Sequence, residues 1–156
     1  MLEAEMMELF GSVTKEVLKN PIIEQITAVH KQFAEREMEE WTPDELSREA
    51  GRLATLLVNL GAMTVKTKSI ADFADESIST DLAKVVVEAI AAGEPVSRAE
   101  AKAKADSGDM KKAIAIYKHK ANLMQQLYRD TERFVSVIQS RLKTMFSGEK
   151  SGISME

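Results

Sequence analysis

Apolar and small residues recur in unbroken steps of four and three along the last third of the chain: Met110, Ile114, Tyr117, Ala121, Met124, Tyr128, Thr131, Val135, Ile138, Leu142 and Met145. A repeat averaging 3.5 residues keeps one seam of a helix turned toward a partner helix over its whole length. No Pro or Gly interrupts residues 109–145. At 1.5 Å per residue such a helix is about 55 Å long, against about 30 Å for the diameter of a small domain. The pattern predicts a heptad-patterned C-terminal helix whose seam needs partner helices, from this chain or from other copies. Read as an oligomerisation seam, it assigns Met110, Ile114, Tyr117, Met124, Tyr128, Val135, Ile138 and Leu142 to contacts between copies.

The preceding residues read as further helices. Met6, Leu9, Phe10, Val13 and Val17 make one apolar stripe, which predicts a first helix over Leu2 to Leu18. Asn20-Pro21 has the form of an N-cap followed by Pro at the first helical position. A second helix from Pro21 to about Glu40 would place Ile22, Ile26, Val29 and Phe33 on one face; a single helix kinked at Pro21 is the alternative. Thr42-Pro43-Asp44-Glu45 is a capping box, opening a helix with Leu46, Ala50, Leu53, Leu57 and Leu60 in the same four-three steps. Gly51 and Gly61 permit close packing there, and the helix continues through Phe73. Ser79 or Thr80 then caps a shorter helix, Asp81 to Ala92, ended by Gly93. Ser97-Arg98-Ala99-Glu100 is a second capping box, and Ser107-Gly108-Asp109 breaks or re-caps the chain. The polar residues from Ser147 predict a frayed tail. No strand alternation is present. The expected fold is all-α: long antiparallel helices in an oligomeric assembly, with one helical domain over 1–146 and a flexible tail over 147–156. Within that domain, 1–41 is an N-terminal helical extension and 42–146 the core.

Composition narrows the classes. The 156 residues suffice for a domain with a core, and 5% aromatics with 9 Met suit helix packing. The absence of Cys excludes a disulfide framework, a thiolate metal site and a Cys nucleophile, and it suits a reducing compartment, so the expected location is the cytoplasm. No apolar run approaches the length of a membrane span, and the acidic start MLEAEMMELF is unlike a signal peptide. The net charge of -4 is unevenly spread: residues 1–100 hold 10 Lys and Arg against 19 Asp and Glu, whereas residues 101–145 hold 10 against 4.

Enzyme signatures are missing. Gly61 to Thr67 lacks the second Gly of a phosphate loop and falls where a helix is expected. His30 and His119 stand in no metal-ligand spacing, and Glu35, Glu37, Glu39 and Glu40 read as a solvated helix end. No catalytic residue, metal or cofactor is expected.

Candidate chemistry concentrates on nucleic acid. Lys111, Lys112, Lys118, Lys120, Arg129 and Arg133 lie among Tyr117, His119, Tyr128 and Phe134. Cations track a phosphate backbone and rings stack on unpaired bases. Tyr117 and Tyr128 also occupy seam positions, which suits core packing, and Lys and Arg beside a seam serve equally as solubilising flanks. Lys66 and Lys68 form a shorter basic pair among Asp72, Asp75 and Glu76.

The order of Thr42-Pro-Asp-Glu-Leu46, Gly51-Arg-Leu-Ala-Thr-Leu-Leu-Val-Asn-Leu-Gly61, the Ala/Lys segment Ala99 to Ala105 and Ile138-Gln-Ser-Arg141-Leu142 resembles the UvsY-like family of phage recombination mediators. The resemblance covers roughly residues 42–145 and lies in helix order and spacing. It implies a small helical protein that assembles into rings, binds single-stranded DNA and helps load a phage RecA-like recombinase onto DNA covered by single-strand-binding protein. The family's basic motif, Lys-Ala-Arg-Leu, is matched nearest by Lys66-Thr67-Lys68-Ser69, which keeps two cations and lacks the Arg and Leu. The functional expectation is therefore a non-enzymatic recombination mediator. The other reading is a helical phage adaptor that does not bind DNA.

Overall fold

The computed structural model describes residues 2–151, with side chains for residue 4 and residues 6–148. Five α-helices and one 3-10 turn (Met38–Glu40) make up the regular structure: α1 (Leu2–Leu18), α2 (Pro21–Glu35), α3 (Pro43–Ala91), α4 (Val96–Asp106) and α5 (Gly108–Ser151). No strand occurs among the described residues, so the fold is all-α.

Local chemistry explains most boundaries. Asn20 is extended, and its side chain accepts from the Ile22 N–H at 3.0 Å, with Pro21 opening α2. That helix stops at Glu35, short of the expected Glu40, because Arg36 is extended and its guanidinium is engaged elsewhere. It donates to both carboxylate oxygens of Glu45, at 3.1 and 3.2 Å, and to the Glu40 carbonyl. The capping box forms: Thr42 N–H donates to Glu45 Oε2 at 2.9 Å, and Glu45 N–H donates to Thr42 Oγ1 at 3.3 Å.

α3 then runs to Ala91 without the break expected near Ser79 and Thr80. Both hydroxyls turn back into the helix, donating to the carbonyls of Asp75 and Glu76 at 2.9 and 3.0 Å. A hydroxyl spent on the preceding turn is not a cap. The helix ends where Gly93 takes φ 90, with Gly93 N–H on Ile90 O and Glu94 N–H on Ala89 O; this is the Schellman pattern, and it needs a residue tolerant of positive φ. α4 begins at Val96 after Pro95, so Ser97 is already helical and caps nothing. Ser107 alone joins α4 to α5. α5 continues through Ser151, past the expected start of a tail at Ser147; residues 152–156 lie outside the described residues.

The chain divides into two compact units, one of Met1–Val13 and Thr64–Asn122, the other of Thr14–Met63 and Leu123–Glu156. The second has the larger core. Ile23, Ile26 and Val29 of α2, Leu46, Leu53, Leu56, Leu57 and Leu60 of α3, and Met124, Val135 and Ile138 of α5 are buried together with Trp41. Within residues 14–41, Ile23, Ile26, Val29 and Trp41 thus belong to a core. Phe33 stacks on Trp41 at 4.1 Å and meets Phe134 edge-on, and the Arg36 guanidinium covers the Trp41 ring at 4.7 Å. The first unit is more thinly filled: its buried apolar side chains are Val13, Ala71, Ile78, Ala99, Ala103, Ile114 and Ala121.

Candidate nucleic-acid interface

The seam of α5 decides which of its residues remain available to a ligand. Ile114, Ala121, Met124, Thr131, Val135 and Ile138 are buried, each within its own unit, and Tyr128 and Leu142 are half-buried against the second unit's core. Ile114, Met124, Val135 and Ile138 are thus covered by helices of their own chain. Met110 (57% exposed) and Tyr117 (41% exposed) are the seam residues open to solvent.

In the first unit, Lys111, Lys112 and Lys118 of α5 are exposed and Lys120 is half-buried. Lys111 and Lys118, seven residues apart, share one flank of the seam. Lys112 points away from the seam, and Lys120 lies on the other flank with its ammonium 5.9 Å from the Tyr117 ring centroid. Lys118 is ion-paired with Asp75 of α3. That contact runs α3 and α5 antiparallel here, as do the neighbouring pairs Ile70–Tyr117 and Ile78–Met110 that line shared grooves.

Lys66 and Lys68 are both exposed, inside α3. Residues two apart on a helix are turned about 200° from each other, so the two do not form one cationic site. Lys68 is seven residues before Asp75 and so faces the flank of Lys118. Lys66 is four and seven residues before Ile70 and Phe73 and shares their flank.

In the second unit, Arg129 and Arg133 are exposed, and Arg133 lies 4.0 Å from Asp130. Here α5 also holds Thr131, fully buried, with His30 Nε2 of α2 at 3.1 Å from its hydroxyl. Burial holds the His30 imidazole below its ordinary pKa, with Asp130 pulling weakly the other way. Glu45, fixed by Arg36 and Thr42, is lowered to about 2.

Among the described residues no cluster of His, Asp and Glu could hold a metal ion, and no helix is long and apolar enough to cross a membrane. What α5 offers is charge: between Asp109 and Asp130 it carries Lys111, Lys112, Lys118, Lys120 and Arg129 and no acid. Sequence reasoning missed a second feature, a groove of about 280 Å³ between α3 and α5 lined by Ile70, Phe73, Met110, Ala113, Ile114 and Tyr117 among others. Phe73 is 75% exposed there. Periodicity placed Phe73 on a helix but carried no signal that its face would stay uncovered. Comparison with family models, curated proteins and solved structures finds no match.

Proposed function

We propose that this chain is a non-enzymatic single-stranded-DNA-binding recombination mediator that works as a homo-oligomer, forming a ring, in the cytoplasm of a phage-infected host. It assists loading of a phage RecA-like recombinase onto DNA covered by single-strand-binding protein. The observation that carries the DNA-binding part is the acid-free stretch of α5 between Asp109 and Asp130, with Lys111, Lys112, Lys118 and Arg129 exposed on it. The mediator role and the partner proteins come from the resemblance of residues 42–145.

Lys68, Lys111, Lys112 and Lys118 sit on or beside one flank of the first unit, and a phosphate backbone along it would take Lys118 from Asp75. Arg129 and Arg133 add cations in the second unit. Such contacts are sequence-blind, because phosphates position a strand without reading it. Each phosphate neutralised adds about 0.7 to the slope of log affinity against log salt on single strands. Fluorescence anisotropy of a labelled poly-dT oligonucleotide, titrated at about 50 mM salt and again at higher salt, tests the reading. Lys111→Ala with Lys112→Ala should weaken binding and flatten the salt slope while leaving the helical circular dichroism unchanged. No binding at the lower salt sinks the DNA-binding proposal.

The second reading, a helical adaptor without DNA function, is favoured by the open apolar groove of the first unit, since exposed apolar patches mark protein contacts. Binding to a partner protein with no response to oligonucleotide would establish it.

A further inference from the structure

We infer that the first unit docks against a second copy of this chain through the α3–α5 groove, two-fold related about Phe73. The inference goes beyond the proposed ring, since a two-fold contact closes a dimer and not a ring, and it is independent of DNA binding. Three observations converge on it.

Exposure is lopsided. Of the 14 large apolar side chains exposed among the described residues, ten belong to the first unit, whose own core is mostly alanine. Ile70, Phe73, Met110 and Tyr117 are gathered at one groove. A second groove, of about 170 Å³, continues from it past Ile78 and Met110 to Val85, Asp81 and Asp106. Isolated exposed apolar residues need no explanation; a connected set is a contact surface.

The charges around this surface are complementary to themselves. Lys66, beyond Ile70, and Lys120, beside Tyr117, lie at one end, away from Phe73. Asp81 and Asp106 line the other end, and Asp81 is only loosely engaged, 3.9 Å from exposed Lys84. A two-fold axis brings the basic end of one copy onto the acidic end of the other. In an isologous contact, a residue that meets its complement does so twice.

Register follows from spacing. Lys66, Ile70, Phe73, Ser77 and Lys84 fall on one flank of α3 at helical intervals, with Asp81 beside them. Antiparallel pairing of this flank with itself, centred at Phe73 and Ala74, sets Lys66 against the partner's Asp81 and Ile70 against the partner's Ser77. Residues 66–84 span about 27 Å of helix, and two helix widths of about 10 Å each give roughly 500 Å² per copy. That sits near the lower bound for a specific interface, about 1,000 Å² in total, so the contact is a weak, reversible one.

Sedimentation equilibrium of the full chain from low to high micromolar concentration tests this. The expected result is a concentration-dependent association that Phe73→Glu weakens at least ~30-fold, the loss typical of an interface anchor, with helicity and thermal midpoint unchanged. Lys66→Glu and Asp81→Lys should each weaken association alone, and an equimolar mixture of the two variants should restore it, because each supplies the charge the other lacks. A monomer throughout, association indifferent to Phe73→Glu, or no recovery on mixing overturns the inference. So does a Phe73→Glu chain that keeps its association but loses oligonucleotide or partner-protein binding, which would give the groove to that ligand.

Discussion

Ile138→Ala separates a seam used within the chain from a seam used between chains. Ile138 is 0% exposed and sits in the core that α2, α3 and α5 build in the second unit. The substitution removes three buried carbons. At about 0.8 kcal/mol per methylene, the transfer part alone is about 2.4 kcal/mol. A cavity contribution brings such truncations into the range of about 2–5 kcal/mol, so a loss of about 3–4 kcal/mol is expected. Urea titrations followed by circular dichroism at low and high protein concentration should give the same loss for the variant at both. Light scattering should give the same mass for the variant as for the unmodified chain. A loss below about 1 kcal/mol would mean that Ile138 is not enclosed as described. A drop in mass with helicity retained would mean that its partner is another subunit, and the packing of α5 given above would be refuted.

Four further substitutions have defined expected outcomes. Gly51→Ala should raise stability by about 0.5–1 kcal/mol through helix propensity, since an added Cβ meets nothing within 4 Å. Gly61→Ala should gain less, because its Cβ would come within 3.3 Å of Tyr128 Cε2; comparing the two thermal midpoints isolates that contact. Thr42→Ala should lose about 1 kcal/mol with the cap, and an NMR titration should find the Glu45 carboxyl above its present value of about 2. His30 is lowered by burial from 6.5, so the unfolded chain takes up its proton first; this part of the stability is intact above pH 6.5 and falls away as pH drops below it. His30→Gln should flatten the stability profile between about pH 7 and 5.

Punctuation was the most legible part of the fold. Asn20, Thr42 with Glu45, and Gly93 act through neighbours a few residues away, so their roles could be read locally. Ser79 and Thr80 could not be read so, since a hydroxyl either caps a following helix or bonds the turn before it, and packing along α3 decides which. The α5 seam was legible as a pattern, but which helices cover Ile114, Met124, Val135 and Ile138 depends on residues far away in sequence. Proximity also misled. Lys66 and Lys68 are only two residues apart yet face opposite flanks of α3, while the Asp75 that engages Lys118 lies 43 residues from it. The acid-free run of α5 was available from composition, whereas the exposure of Phe73 required knowing which helix faces remain uncovered.

Thr131 interrupts an otherwise apolar buried stretch of α5, and its only described side-chain partner is the His30 ring. A uniform apolar seam lets facing helices slide by a heptad with little change in packing. Sliding α2 by seven residues of α5 would set His30 against Met124 or Ile138 instead. It would also leave the Thr131 hydroxyl enclosed without a partner, a penalty of about 1–3 kcal/mol. The pair therefore serves as an alignment mark that, with the Phe33–Phe134 contact, favours one pairing of α2 with α5. Thr131→Val would erase that mark, and multiple His30 resonances would report the alternative alignments.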